Sequence, residues 1–357
     1  MRSDRIFALF LGVYLLLALL GKIMFPGYLG TLNPVALFYA LLFSLLIFLG
    51  YLFSDKLPKE RLYLYLVVST LMGASTGILG IVLSLSILLG GIFLMRNGGT
   101  DIRHVYYAGF VLVILLPLIA IVKGVIPILE PHMRYTPMKN LYFASAIFAT
   151  LLLSYKPNIY LFLIAEAFAV ISTFRTNALI VFLAYIFRAG REEAKRVLLL
   201  GVPLILLVFL VRFYATKGTY AIWKLGFIQT LVYRAGFSYM VYERLFSLGM
   251  PLGRFNILLN KYPRFFVASL FGKSTSYTYT LFGQPAYDFG IFGLMEGFLV
   301  GVALRDAERV QTFKSLALVF LVLAIENGFD ALNFGIIMGS AFFSLGSREG
   351  VLWKEIR

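Results

Sequence analysis

The chain consists mostly of long apolar segments separated by short polar stretches. Twelve apolar runs can be read from the sequence, and the longer ones reach the ~20 residues that a helix needs to cross a bilayer. This pattern predicts an all-α polytopic membrane protein with about 12 transmembrane helices, including short paired half-helices. The runs cover residues 6–25, 33–53, 62–73, 78–95, 104–123, 141–155, 159–172, 176–188, 197–213, 286–304, 315–327 and 333–346.

The longest interruption of this pattern is the stretch 214–285, which is rich in basic and aromatic residues. Its apolar residues recur at helical spacing in two places, 237–248 and 255–270, as expected for amphipathic helices. We therefore predict a single integral membrane domain over residues 1–357, in which 214–285 is one large loop containing amphipathic helices.

The distribution of basic residues predicts the orientation of the chain. If the N-terminus is cytoplasmic, most Lys and Arg outside the loop fall in inner connections, whereas the short outer connections carry few. This predicts a multi-pass protein of the cytoplasmic membrane with both termini inside. The loop 214–285 then lies outside, which is permitted because long loops translocate largely regardless of charge.

Arg175 interrupts the apolar sequence between residues 159 and 187. One continuous helix would place its charge near the middle of the bilayer, at a cost of about 2.5–3.5 kcal/mol. Two half-helices that meet at Arg175 avoid this cost, with Thr176 or Asn177 as the N-cap of the second. We predict that Arg175 faces an outward-facing cavity, and the alternative is an arginine that pairs with Glu166 or extends its charged end to the membrane surface.

Composition excludes several classes of protein. Hydrophobic residues make up 61% of the chain and charged residues 14%, which leaves no soluble catalytic domain. The chain has no cysteine and only two histidines, and it lacks a P-loop, a His-Glu-x-x-His motif and a Gly-x-Ser-x-Gly motif. These absences argue against ATP-driven transport, zinc proteolysis and serine hydrolysis.

The net charge of +15 raises the question of an anionic partner. One interpretation is attraction to acidic lipid headgroups, at about 1 kcal/mol per basic residue near the surface. The other is binding of a pyrophosphate, whose oxygens match the planar donor fork of arginine. The tyrosines of the loop allow two interpretations as well, since their rings can stack on sugars or form an interfacial belt.

Few carboxylates fall on the predicted outer side, and one of them is a candidate general base. They are Glu130, Glu243, Asp288 and, deeper in the predicted helix 286–304, Glu296. At the start of that helix, Asp288 is also suited to capping. Elsewhere, Glu326 and Asp330 flank a predicted helix break and serve either ion coupling or local pairing, whereas Asp306-Ala-Glu308 indicates a solvated ion-pair cluster.

Three sequence blocks resemble those of the oligosaccharide repeat-unit polymerases, the Wzy-type O-antigen polymerase group. The blocks are Leu32-Asn-Pro34, Phe174-Arg175-Thr-Asn-Ala-Leu179, and Tyr277-Thr-Tyr-Thr-Leu-Phe-Gly283 with Tyr287-Asp288-Phe-Gly290. The resemblance implies a metal-independent glycosyltransferase without a cofactor, which works on the outer face of the membrane. Its substrate is a polyprenyl- or dolichyl-pyrophosphate-linked oligosaccharide, and its other candidate partners are membrane lipids, a flippase and a chain-length regulator, but no nucleic acid.

The family's outer-face arginines correspond to Arg175 and to the loop residues Arg234 and Arg254, which we expect to hold the pyrophosphate. With Glu130 and Asp288 as candidate bases, these form the expected catalytic set. The expected substrate-binding residues are Arg134, Arg212, Arg244, Tyr277, Tyr279, Thr280 and Tyr287.

Two other functions remain open from the sequence. A ligase would transfer a finished glycan to a lipid or protein acceptor through a similar cavity. A secondary transporter or flippase of lipid-linked oligosaccharide would use intramembrane acids for coupling. The candidate coupling acids are Glu166, Glu296, Glu326 and Asp330.

Overall fold

A computed structural model describes residues 2–97, 102–217, 225–249 and 255–347, and these residues form helices and turns without a β-strand. This confirms the predicted all-α class. The helices are α1 Ser3–Met24, α2 Pro26–Leu29, α3 Pro34–Phe53, α4 Arg61–Met72, α5 Ile78–Asn97, α6 Ile102–Val122, α7 Lys139–Tyr155, α8 Ile159–Ser172, α9 Arg175–Arg188, α10 Arg191–Lys217, α11 Phe227–Leu248, α12 Pro263–Ser269, α13 Thr280–Phe289, α14 Gly293–Ala307, α15 Gln311–Asn327 and α16 Ala331–Gly346.

The chain forms two compact units. Unit 1 combines Met1–Gly99 with Ile228–Arg357, and unit 2 is Thr100–Phe227. Unit 1 therefore contains most of the stretch that the sequence predicts as the large loop, together with helices from both ends of the chain. The prediction of a single domain is not tested by this division and stays a prediction.

Four apolar segments have the length and composition to cross a membrane among the residues that the structure describes. They are Ser3–Met24, Pro34–Lys56, Glu192–Tyr214 and Thr280–Ala307. Shorter apolar helices cover Ile78–Gly91, Tyr106–Val122, Ile159–Ser172 and Ala331–Gly346. The polytopic character is thus supported, while the number of twelve spans stays a prediction.

Polar side chains fix the start of several apolar helices. The Asn33 side chain accepts hydrogen bonds from the backbone N–H groups of Val35 and Ala36, at 3.0 and 3.2 Å, and so caps α3. Asn158 caps α8 in the same way, and the Asp330 carboxylate accepts from Asn333 N at 2.8 Å at the start of α16. Asp330 therefore caps α16, while the ion-coupling alternative is not tested and stays a prediction.

Helices α3 and α14 pack closely in unit 1 because glycines line their contact. A Cβ atom on Gly301 would lie 1.9 Å from the Ile47 carbonyl oxygen, and one on Gly50 would lie 2.1 Å from that of Phe298. Small residues at such positions let helix backbones approach one another in a membrane protein. This packing holds α14, which is the second half of the apolar segment Thr280–Ala307, against α3.

The predicted helix 286–304 is wrong in its boundaries. Two helices occupy this region, α13 and α14, and between them Gly290 has φ 55°. Positive φ is readily adopted by glycine, so the chain turns here instead of continuing. Asp288 consequently lies near the end of α13 and not at the start of a helix, and it does not share a helix with Glu296.

The stretch 214–285 is more structured than its description as a loop implies. Helix α11 includes the first apolar stripe, and its residues Met240, Val241 and Leu245 are buried in a cluster with Leu29 and Tyr279. The second stripe is divided between turns at residues 256–259 and the short helix α12, so it does not form one helix.

A network of charged side chains joins the ends of several helices of unit 1. The Asp306 carboxylate is fully buried and accepts two hydrogen bonds from Arg61, at 2.6 and 2.7 Å, and one from the Tyr65 hydroxyl at 2.7 Å. Glu308 pairs with Lys314 at 2.6 Å and accepts from the Tyr51 hydroxyl. The predicted ion-pair cluster is present, but it is not solvated at Asp306, because the carboxylate joins α4 to α14.

Candidate functional site

The break before Arg175 is the central feature of unit 2. Helix α8 ends at Ser172, Thr173 adopts the left-handed conformation with φ 55°, and α9 begins at Arg175. The predicted pair of half-helices is confirmed. The predicted caps are wrong, because Thr176 and Asn177 lie inside α9 and its N-cap is Phe174, which makes no capping side-chain hydrogen bond.

Two arginines lie over aromatic rings at this break, and a third follows one of these rings on α10. The Arg134 guanidinium carbon lies 5.0 Å from the centre of the Phe174 ring, and that of Arg175 lies 5.0 Å from the centre of the Phe209 ring. Arg212 follows Phe209 by three residues on α10, on the same face of that helix. Arg134, Arg175 and Arg212 form what we call the arginine cluster.

The segment that carries Arg134 folds against the end of α8. Ile128 N donates to the Ile171 carbonyl oxygen at 3.0 Å, and the Tyr142 hydroxyl donates to the Val125 carbonyl oxygen at 2.7 Å. Arg134 is only 9% exposed as a result. A guanidinium in these surroundings acts on an anion more strongly than one in water, because the local dielectric constant is lower.

Other ionisable groups lie on the same segment. Burial, followed by the charge of Arg134, lowers the pKa of the Lys139 ammonium, which precedes the apolar run beginning at Leu141. The Glu130 carboxylate is 54% exposed and lies 3.6 Å from His132 Nε2. The segment from Glu130 to Lys139 thus combines several cationic groups with an accessible carboxylate.

Glu166 does not pair with Arg175. It is fully buried on α8, and neither of its carboxylate oxygens has a hydrogen-bond partner in the described structure. The alternative in which these two residues neutralise each other is therefore not what the structure contains.

The predicted arginines of the loop have different surroundings in unit 1. Arg234 Nε lies 2.6 Å from Glu326 Oε1, and both side chains are about 40% exposed. Glu326 therefore takes part in local pairing. Arg244 is exposed and its guanidinium lies 5.8 Å from the Phe271 ring centre, while Arg254 lies outside the described residues.

The predicted substrate-binding residues after the loop differ in exposure. Tyr277 and Tyr287 are partly exposed and contact the rings of Phe237 and Phe266. Tyr279 is fully buried and donates to the Phe329 carbonyl oxygen at 2.7 Å. Thr280 is also fully buried, with φ 60°, at the first position of α13.

Asp288 holds part of the loop in place. Its buried carboxylate accepts from Ile257 N at 3.0 Å, from Leu258 N at 2.9 Å and from Gln284 Nε2 at 3.2 Å. The prediction that Asp288 caps its own helix is therefore wrong, because its carboxylate binds a turn 30 residues earlier in the chain. Gln284 also donates to Glu296 at 3.3 Å, so the amide joins two buried carboxylates.

Glu243, another predicted outer carboxylate, is buried in an ion pair. Lys22 Nζ lies 2.5 Å from Glu243 Oε2 and donates to the Leu29 carbonyl oxygen at 2.7 Å. Asn33 N donates to the other carboxylate oxygen of Glu243 at 2.8 Å. This carboxylate joins α1, α3 and α11 and is fully engaged in these contacts.

Arg264 lies in the basic stretch 214–285 but is not among the site residues that the sequence predicts. The structure places it beside Tyr277, whose N–H donates to the Arg264 carbonyl oxygen at 3.0 Å. The side chain is partly exposed, and its positive charge acts on the Asp330 carboxylate. The sequence spacing does not predict that Arg264 lies beside Tyr277, because their hydrogen bond depends on how residues 265–276 fold.

The sequence pattern of a family described as putative O-antigen polymerase matches residues 3–338. A curated relative is the uncharacterized protein MJ0420 of Methanocaldococcus jannaschii, which is 27% identical over 223 residues, 59% of this chain. The match spans 57% of the length of that protein. No solved structure matches the chain.

Proposed function

Because this chain belongs to the O-antigen polymerase family, we propose that it polymerises lipid-pyrophosphate-linked oligosaccharide repeat units at the outer face of the cytoplasmic membrane. The family implies a glycosyltransferase-like enzyme, a lipid-linked oligosaccharide as substrate and a multi-pass membrane location. The proposal adds the reaction, its independence from metal, the side of the membrane and the roles of individual residues. A flippase and a chain-length regulator are further partners in the proposal.

The arginine cluster of unit 2 is the observation that carries this proposal. Guanidinium groups bind phosphate oxygens through two parallel hydrogen bonds, and a buried one such as Arg134 does so in a low-dielectric setting. Arg175 also lies at the N-terminus of α9, where the helix dipole favours an anion. In the proposal these groups bind the pyrophosphate of the donor and stabilise the charge that develops as it leaves.

The proposed reaction joins two lipid-linked substrates. A hydroxyl oxygen of the incoming repeat unit forms a bond to the anomeric carbon of the growing glycan, and the bond from that carbon to the pyrophosphate oxygen breaks. The leaving pyrophosphate takes the electron pair, and the hydroxyl proton passes to a general base. The products are the lengthened glycan on the acceptor lipid and a free lipid pyrophosphate.

Glu130 is the proposed base. It is exposed and lies on the same segment as Arg134, whereas Asp288 and Glu243 are buried and already accept hydrogen bonds from the protein. Arg234, Arg244 and Arg254 are proposed to contact the second lipid-linked substrate. That they and Arg175 share one pocket stays a prediction.

Replacement of Arg175 tests the proposal. Arg175→Ala should reduce the rate of chain extension about 10²–10³-fold, the loss expected when one preorganised donor to a developing charge is removed. Arg188→Ala is the matched control, because it removes an arginine at the other end of α9, where its Nε donates to the Tyr155 carbonyl oxygen at 3.2 Å. Purified protein is incubated with lipid-linked oligosaccharide, and products are sized by gel electrophoresis. Long products from the Arg175→Ala protein at the wild-type rate would overturn the assignment.

The same assay separates the alternatives. A ligase would attach preformed long glycans to an acceptor but would not lengthen single repeat units. A flippase would move substrate across liposomes but would yield no longer product in detergent, where no compartment exists. Lengthened glycans in detergent support the polymerase.

A further inference from the structure

Unit 1 carries an array of aromatic rings in mutual contact. The Phe25 and Tyr233 ring centres are 5.5 Å apart, and those of Tyr233 and Phe237 are 6.3 Å apart. Tyr277 continues the array, at 5.0 Å from Phe237 and 6.4 Å from Phe271. These five rings come from the end of α1, from α11 and from the segment after α12, so tertiary folding assembles them.

The array is partly open to its surroundings. Tyr233, Phe237 and Tyr277 are each partly exposed, and Tyr28 on α2 is 78% exposed. The hydroxyls of Tyr28 and Tyr277 are close enough to Tyr233 to interact with it electrostatically. We call Tyr28, Tyr233, Phe237 and Tyr277 the aromatic surface; it has apolar ring faces and a rim of phenol hydroxyls.

One guanidinium group borders the aromatic surface. Arg244 is exposed and lies over Phe271 at 5.8 Å, and Phe271 in turn stacks on Tyr277. The exposed side chain of Arg244 therefore places positive charge beside the aromatic surface.

We propose that the aromatic surface binds the saccharide part of the lipid-linked oligosaccharide, with Arg244 attracting its acidic or phosphate groups. A sugar ring has an apolar C–H face and a polar rim, which match an aromatic face with hydroxyls around it. The inference rests on the proposed function for the identity of the glycan, and it assigns a recognition role to residues outside the arginine cluster.

A lipid-facing belt of aromatic residues is the competing explanation, since Trp and Tyr concentrate at membrane interfaces. Belt residues act individually with lipid headgroups, whereas the five rings of the array come from three segments and contact one another. The two explanations differ in what the substitutions should change. Loss of glycan affinity supports the recognition role, and unaltered affinity supports the belt.

The test uses full-length protein in detergent and a defined probe. The probe is the oligosaccharide released by mild acid from the lipid-linked pool of the source cells, and its affinity is measured by titration calorimetry. The variants are Tyr28→Leu, Tyr277→Leu and their combination. Tyr262→Leu is the matched control, since Tyr262 belongs to the same stretch, is 59% exposed and has no aromatic ring contact in the described structure.

We expect the double variant to bind the probe about tenfold more weakly, because two aromatic faces are lost from the surface. Tyr262→Leu should bind as wild type, and Tyr277→Phe should retain most of the affinity because the ring remains. If Tyr277→Leu fails to fold, Tyr28→Leu alone decides, because Tyr28 is 78% exposed. Wild-type affinity in the folded variants would overturn the inference.

The outcomes separate this inference from the proposed function. A protein that binds the released glycan through the aromatic surface but adds no repeat units would refute the polymerase and keep the recognition role. A protein that extends glycans, and whose KM does not change in the folded variants, would keep the polymerase and refute the recognition role.

Discussion

Arginines lie over aromatic rings in both units, but their surroundings differ. In unit 2, Arg134 is 9% exposed over Phe174, while in unit 1 the exposed Arg244 lies over Phe271. The attraction between two charges is several times larger at a buried site than in water. The same pair of residue types therefore suits charge stabilisation in unit 2 and recognition by stacking in unit 1.

The largest expected effect is a loss of unfolding free energy when the buried ion pair between Lys22 and Glu243 in unit 1 is broken. Lys22→Met leaves the Glu243 carboxylate buried without its cation, and loss of one partner of a buried ion pair costs about 3–5 kcal/mol of unfolding free energy. Thermal and denaturant unfolding in detergent measure this change. The double variant Lys22→Met/Glu243→Gln should recover part of the stability, because the unpaired charge is gone. A loss below about 1 kcal/mol in the single variant would show that α1 and α11 do not depend on the pair.

The second prediction compares the two units directly. Arg134→Ala should reduce the rate of extension about 10²–10³-fold, because it removes a buried charge donor. Arg134→Lys should lose less, since it keeps the charge but not the planar fork. Arg244→Ala should reduce the rate of extension by less than about tenfold, as expected for an exposed cation. The initial rate with lipid-linked oligosaccharide is the measurement, and a larger loss at Arg244 than at Arg134 would reverse the comparison.

The third prediction asks which unit supplies the base. Glu130→Gln should lower kcat about 10²-fold or more, since general base catalysis contributes about 10²–10⁴-fold. Asp288→Asn should keep activity within about tenfold, because an amide oxygen in the place of Oδ2 can still accept from Ile257 N and Leu258 N. The ratio of kcat for Glu130→Gln to kcat for Asp288→Asn shows which carboxylate acts as the base. If Asp288→Asn were inactive yet as stable as wild type, the base would belong to unit 1.

The smallest effect is expected at the Arg234 to Glu326 pair. Both side chains are about 40% exposed, and such pairs contribute about 0–1 kcal/mol. Glu326→Gln should change the unfolding free energy by less than about 1 kcal/mol and leave extension nearly unchanged. Substrate movement across liposomes serves as the second readout, and its complete loss in this variant would favour a coupled transporter.

The helical class could be predicted from the sequence because helices depend on local patterns of apolar residues. The break at Arg175 followed from the cost of placing a charge in a membrane, and the structure confirms it between Ser172 and Arg175. The cap was predicted wrongly because the left-handed turn at Thr173 starts α9 before Thr176.

The carboxylates show where local reasoning fails. Asp288 accepts from residues 30 and 31 positions earlier, and Glu243 pairs with Lys22 at a separation of 221 positions. Both looked accessible because the sequence placed them on the predicted outer side. Burial and long-range partners instead give them supporting roles, and they leave Glu130 as the exposed candidate.

The sequence by itself determined the helical membrane class, the half-helix break and the excess of cationic residues, since hydrophobic periodicity and charge act over a few residues. Only the tertiary structure decided which arginines approach aromatic rings, which carboxylates are buried and which tyrosines assemble into one surface. Those contacts join residues far apart in the chain, and their energies depend on the dielectric surroundings that packing creates.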